Sequence, residues 1–347
     1  MKKKLIVSAL IVTNLVSFSG LSANAASKTS KMKEISANLN KAHEIISQNK
    51  SDDSHSENAD TVDINGSVKN YESLPYSIDA QIESQIKRGG NLINKAVAMD
   101  NNVLTTFNME NNELMPFNIG IRGTYQEANK EELLHYLDPN NFVGTKEGIM
   151  QFLRTNTYRE ISVTRLNEYL DKYCVDYSKT EQNVFRNKGQ AFKDAAKKYN
   201  IDPVYFVAHA MWETGYGKSV LSKGQMVDSV GGKPLDKPVK VYNFFGIGAV
   251  DGSANLSGKE AAYANGWTSV EATLDGSAKW LSDGYVNSTK YVKQQNSVYK
   301  MRWFYEVSWH QYATDVNWAC GISSMMSKLI GIYDSNAVLT FDIPQYK

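Results

Sequence analysis

The chain has little of what would make several function classes easy to argue. Among its 347 residues there are two cysteines and seven prolines, and acidic and basic residues nearly cancel at a formal charge of +1. Cys174 and Cys320 cannot form a disulfide framework in a chain this long; one bridge is the most they can make, and a catalytic thiol is the alternative use. Near-neutral charge gives no electrostatic case for a nucleic-acid partner. The five histidines, His43, His55, His135, His209 and His310, have no metal-ligand spacing, and no H-E-x-x-H occurs, so neither a metal nor another cofactor is implied. No internal repeat is visible, and after the first 25 residues no apolar run approaches membrane-spanning length.

What is present begins with a leader. Met1-Lys2-Lys3-Lys4 is a basic start, Leu5 to Val16 is a short apolar run, and Ala23-Asn24-Ala25 is a small-x-small cleavage site. This reads as a secretory signal peptide over residues 1–25, the alternative being an uncleaved anchor. Three lysines and no acid leave with it, so +1 becomes −2. Residues 26–75 are too polar to fold alone and read as a stalk or linker. Residues 76–132 mix helical spacing near Tyr76 to Leu92 with strand-like alternation at 101–121, an extension of uncertain structure.

From there helical signals dominate. Ser162 is an N-cap for "SVTRLNEYLDKY", with Leu166, Tyr169 and Leu170 on one face. "GQAFKDAAKKYN" is a helix ended by Asn200, and Asp202 with Pro203 starts another that runs into "AHAMWETGYGKSVLSKG". Glycine density from Gly215 to Gly258 predicts loops and a small hairpin, and "SVEATLDGSAKWLSDGY" and "VNWACGISSMMSKLIGIY" return to helical periodicity. With 42% hydrophobic and 22% charged residues, the chain can bury a substantial core.

The helix before Gly215 carries the feature of interest. At 100° per residue Phe206, Ala210 and Glu213 share a face, with His209 one turn before Glu213. A carboxyl held against apolar neighbours at the end of a helix loses hydration chiefly in its charged form, and the helix C-terminus disfavours a second negative charge. Both favour the protonated acid that a proton donor requires. A packing or capping role, with Lys218 or His209 as partner, is the competing reading.

The blocks "AHAMWETGYGKSVLSKG", "VYNFFGIGA", "AYANGW", "QNSVYKMRW" and "HQYATDVNWA" occur in the order found in bacterial endo-β-N-acetylglucosaminidases of glycoside hydrolase family 73, the autolysin type, and residues 133 to 335 resemble that family. The resemblance implies an α+β, mainly α, lysozyme-like fold over 133–347, with a helical lobe and a small β-lobe flanking a glycan cleft. It places the general acid on Glu213. A second carboxylate falls best on Glu260, with Glu271, Asp275 and Asp251 as others. Tyr312 matches a cleft tyrosine and is the candidate for orienting the substrate acetamido group, with Asp315 beside it; where many relatives have tyrosine, this chain has Trp318.

Substrate-binding candidates are Asn243, Phe244 and Gly246 in "NFFGI", Asp315, and Trp303 as a surface for a sugar face. Asn243 can bond a sugar amide or a turn backbone, and Trp212 reads as core. The implied partner is the peptidoglycan glycan strand, the implied location the cell wall outside the cell. The competing readings are a lytic transglycosylase on the same strands, a peptidase or amidase using Cys320 and His310, and a wall-binding protein without activity.

Overall fold

The computed structural model describes residues 66–97, 103–105, 123–249, 253–291, 294–303 and 310–347. The leader, most of the stalk, most of the strand-like stretch at 101–121 and Asp251 lie outside them.

In chain order the first part is β1 (Val68–Ser73), α1 (Ile78–Arg88), β2 (Leu92–Val97), β3 (Val103–Thr105), β4 (Gly123–Glu127), α2 (Lys130–Leu137) and α3 (Lys146–Ile149). Then come α4 (Val163–Tyr173), α5 (Gly189–Lys198), α6 (Pro203–Thr214), the hairpin β5 (Gln225–Val230) and β6 (Lys233–Val241), and α7 (Ala254–Ala264). Last are α8 (Val270–Leu281), α9 (Val298–Arg302), α10 (Trp318–Leu329) and β7 (Thr340–Gln345). Among the described residues the molecule is mainly helical, with three small sheets.

The stalk ends earlier than its polarity implied. β1, inside the stretch read as linker, pairs in parallel with β7 over Val68–Ser73 and Thr340–Gln345. Asp342 in β7 fixes the pair by accepting from Asn70 Nδ2 at 3.0 Å and from Arg154 Nη2 at 2.8 Å. Backbone pairing of this kind needs no apolar side chains on the strand itself, so a polar strand gives no hydrophobic signal. The extension that follows packs into the same core through Ile82 and Ile93. Its strand β2 is tied to the chain near residue 315: Leu92 N–H donates to Thr314 O at 2.9 Å, and Val316 N–H donates to Leu92 O at 2.8 Å.

The centre of the core is α6. Asp202 caps it by accepting from Tyr205 N–H at 3.0 Å, and Pro203 occupies the first turn, where a missing N–H costs nothing. Apart from Trp212 and Glu213 every residue from Pro203 to Thr214 is buried, the signature of a helix surrounded by protein. Asp202 is itself held by Arg159 at 2.7 Å and the Tyr333 hydroxyl at 2.7 Å.

Helix α10 lies directly against α6. A Cβ added at Gly321 would stand 2.1 Å from the Trp212 ring, so only glycine permits this approach. Gly321→Ala is expected to destabilise the protein by about 1–3 kcal/mol through overpacking, despite the better helix propensity of alanine. Thermal unfolding checks this, and an unchanged midpoint contradicts it.

Candidate active site

Glu213 sits at the penultimate position of α6, and the chain leaves the helix immediately after it. Gly215, Tyr216 and Gly217 all have positive φ, at 55°, 61° and 79°. Two of these are glycines, which adopt that region without steric cost, while Tyr216 is held there against its preference. Thr214 Oγ1 bonds Ala210 O at 2.6 Å and accepts from Gly217 N–H at 2.8 Å; Asn183 Nδ2 donates to Tyr216 O at 2.8 Å. This clamped left-handed exit turns the backbone aside and leaves Glu213 partly open, with 24% of its side chain exposed.

One oxygen of that carboxyl is held and the other is not. Trp318, the first residue of α10, donates its indole N–H to Glu213 Oε1 at 2.8 Å. His209 Nε2 stands 3.3 Å from the same oxygen, close enough to interact but not aligned as a hydrogen bond. Among the described residues Oε2 has no hydrogen-bond partner. The indole donor on Oε1 orients the carboxyl and leaves Oε2 as the oxygen that can carry or deliver a proton.

His209 is fully buried, its Nδ1 paired with the Tyr205 hydroxyl at 3.0 Å. Nδ1 accepting from Tyr205 and Nε2–H facing Glu213 is the arrangement that serves both neighbours. Burial lowers its pKa, against the opposing pull of Glu213, so the ring is held neutral. Burial and then Lys290 lower that of His310 in the same direction. Because the unfolded chain binds these protons first, near the ordinary value of 6.5, the associated stability is present above that pH and is lost as pH falls through the lowered folded-state values. Denaturant unfolding is therefore expected to weaken from about pH 7.5 to about pH 5, less steeply in His209→Gln. An equally steep fall in the variant contradicts this.

Tyr312 completes the group. Its ring stacks on Trp318 at 4.9 Å and 27°, meets His209 edge-on at 4.7 Å, and its hydroxyl donates to Phe245 O at 3.2 Å. Burial first, and then the Glu213 charge, raises its pKa well above the phenol range, so it remains a neutral donor. Asp315 lies in the same electrostatic neighbourhood and accepts from Asn317 N–H at 2.9 Å, while its backbone carbonyl accepts from Arg302 Nε at 2.8 Å. Burial raises the Asp315 pKa, with Glu213 contributing less.

The other sequence candidates divide. Gly246 is exposed, with φ of 63° and open space where a Cβ would stand, next to the carbonyl that Tyr312 bonds. Asn243 is corrected: its amide donates to Ile247 O at 2.8 Å and Gly258 O at 3.1 Å and its oxygen accepts from Ile247 N–H at 3.2 Å. It is buried and spent on the backbone of its own turn and of α7, not offered to a sugar. Phe244 is likewise corrected, fully buried against Phe185 at 5.0 Å. So is Trp303, whose ring is wholly buried with the Arg302 guanidinium 3.9 Å above it.

Glu260, on α7, accepts from the Gly231 N–H at the hairpin tip at 3.0 Å. It is not joined to Glu213, Trp318 or Tyr312 by any hydrogen bond or ion pair among the described residues. Glu271 pairs with Lys188 at 2.6 Å and Asp275 with Lys198 at 2.7 Å, surface ties between α8 and α5. The two cysteines are not bridged. Burial pushes the Cys174 thiol up to about 12, and His310 is committed through Nδ1 to Gln295 Oε1 at 2.7 Å.

Three participants escaped the sequence reading. Trp318 stands where many relatives have tyrosine, and its indole N–H serves as a donor to Glu213. Tyr125, on β4, has its pKa raised by burial first and then by the charges of Asp315 and Glu213, which lie within electrostatic reach. Trp280, on α8, is 38% exposed and lies 6.3 Å from Tyr312. No local signal marks any of them, because each is delivered by tertiary packing.

Comparison with known proteins agrees with this geometry. Residues 189–330 match the family model described as mannosyl-glycoprotein endo-beta-N-acetylglucosaminidase. A beta-N-acetylglucosaminidase of Bacillus subtilis is 35% identical over 223 residues, 64% of this chain and 23% of its own length. A bifunctional autolysin of Staphylococcus aureus is 35% identical over 232 residues, 65% of this chain and 17% of its own. The match thus spans about a fifth of these relatives. The solved structure of a catalytic mutant of S. aureus autolysin E in complex with the disaccharide NAG-NAM has a TM-score of 0.53 at 26% identity, covering 79% of this chain and 97% of that one. Through residues 189–330 the chain is similar to the glucosaminidases of glycoside hydrolase family 73, and it has their lysozyme-like fold, α+β and mainly helical.

Proposed function

We propose that the protein is a peptidoglycan hydrolase that acts in the cell wall and cuts the β-1,4 bond after N-acetylglucosamine, with Glu213 as general acid. The observation that carries this reading is the half-held carboxyl: Oε1 accepts from the Trp318 indole at 2.8 Å, Oε2 has no hydrogen-bond partner among the described residues, and 24% of the side chain is exposed. The disaccharide bound by the autolysin E relative supports the substrate class.

In the proposed reaction Glu213 protonates the glycosidic oxygen as the bond to the anomeric carbon breaks, and water ends on that carbon. Tyr312, a neutral phenol beside the acid, orients the 2-acetamido group, which can itself attack the anomeric carbon and does not require a second carboxylate. Asp315 shapes the segment that presents Tyr312 at one end and Trp318 at the other. Glu260 contributes by holding the hairpin tip, one wall of the β-lobe. The leader read at residues 1–25 accords with export, and no helix among the described residues is long and apolar enough to cross a membrane.

The test is a digest of purified peptidoglycan, reduced with borohydride and read by mass spectrometry. Reduced N-acetylglucosamine at the new ends is expected. Anhydromuramoyl ends would assign a lytic transglycosylase, and an unchanged profile would leave a binding protein.

A further inference from the structure

Trp280 is unlike the buried tryptophans around it. Trp267, Trp303 and Trp318 are each no more than 3% exposed, whereas Trp280 shows 38% of its surface to solvent. It belongs to the outward side of α8, whose inward side buries Leu274, Ala278 and Leu281. A single exposed aromatic needs no explanation by itself; what sets Trp280 apart is what it adjoins.

The Trp280 ring meets Tyr312 at 6.3 Å and 76°, and Tyr312 stacks on Trp318, which holds Glu213. Two ring-to-ring steps therefore connect the exposed indole to the proposed acid. Behind both rings stands Tyr285, 5.4 Å from Trp280 and 5.2 Å from Tyr312. It is carried by a π-helical stretch, Ser282–Val286, directly after α8. Such a stretch inserts a residue into the helical register and recurs at functional sites. Here it turns Tyr285 to stack on His310 at 4.7 Å and 29°, and His310 is fixed by Gln295. The indole is thus a flat, partly exposed surface backed by packed rings.

We propose that Trp280 is a sugar-stacking subsite: its exposed face receives the apolar C–H face of one pyranose ring of a β-1,4-linked N-acetylhexosamine strand, a short distance along the glycan from the bond that is cut. It binds a ring that does not react, so it governs affinity and not the chemical step. The inference rests on the glycan-hydrolase reading and names where the strand is gripped.

The test uses the full mature chain and two variants, Trp280→Ala and Trp280→Phe. Binding of the β-1,4-linked tetramer of N-acetylglucosamine is measured by calorimetry in a Glu213→Gln background, and KM and kcat on purified peptidoglycan in the active background. Removing the apolar surface that a pyranose C–H face buries against the indole predicts roughly a ten- to hundredfold loss of tetramer affinity and a matching rise in KM for Trp280→Ala. The kcat should change less than about threefold, the melting temperature should hold, and Trp280→Phe should recover most of the affinity. Unchanged affinity and KM in Trp280→Ala, or a loss in kcat alone, overturns the subsite. Failure of the underlying reading is seen separately, because the wild type then cleaves no peptidoglycan.

Discussion

Glu213→Gln is expected to fold like the wild type and to lose about two to four powers of ten in kcat on peptidoglycan. The change preserves shape, and an amide oxygen can still accept from the Trp318 indole at the Oε1 position. What it removes is the only function Oε2 is free to perform. An NH2 group there can donate a hydrogen bond to the glycosidic oxygen but cannot surrender a proton as the bond breaks. The release of reducing ends, with circular dichroism and melting temperature as fold controls, measures the effect. Activity within tenfold of wild type, in a folded variant, removes Glu213 from the acid role.

Trp318→Phe is the second large effect. The ring that stacks on Tyr312 is retained in kind, and the N–H that fixes Oε1 is lost. A hydrogen bond to a charged group contributes about 1.5–3 kcal/mol, so kcat should drop roughly ten- to hundredfold while KM changes little. With the donor gone, the carboxyl is free to rotate and the proton is no longer confined to Oε2. Trp318→Tyr, which restores a polar hydrogen on an aromatic ring, is expected to keep more activity than phenylalanine. Equal kcat for all three residues would mean that the indole only fills space. A parallel loss of melting temperature would assign the effect to packing, which is why unfolding is measured alongside.

These two residues also mark the limit of what the sequence displays. Glu213 was legible because its setting is local: Asp202 and Pro203 start the helix, an apolar run carries it, and Gly215 to Gly217 end it. The motif order then pointed to the family the chain resembles, and to Tyr312 as a candidate. Trp318 lies 105 residues away from the carboxyl it holds, and nothing in its own neighbourhood announces that bond. Asn243 could serve a sugar or a turn with the same amide chemistry, and the close carbonyls of Ile247 in the turn and Gly258 in α7 decide in favour of the backbone.

Tryptophan was misjudged for a related reason. Trp303 and Trp280 are equally capable of stacking on a sugar, and composition cannot separate them. Burial does so: Arg302 and the core close over one, while α8 turns the other outward. The early boundary failed similarly, since β1 finds its partner 272 residues later, across the whole domain. Helix caps and periodicity depend on neighbours a few residues apart and were read correctly. Sheet partners, indole donors and exposed platforms depend on the finished fold.

The most direct test of the central claim is a crystal structure of Glu213→Gln with an uncut N-acetylglucosamine and N-acetylmuramic acid tetrasaccharide. The account predicts a glycosidic oxygen about 2.6–3.2 Å from the atom that replaces Oε2, with N-acetylglucosamine on the non-reducing side of that bond. A glycan seated elsewhere, or one whose every glycosidic oxygen lies beyond hydrogen-bond reach of residue 213, would contradict it.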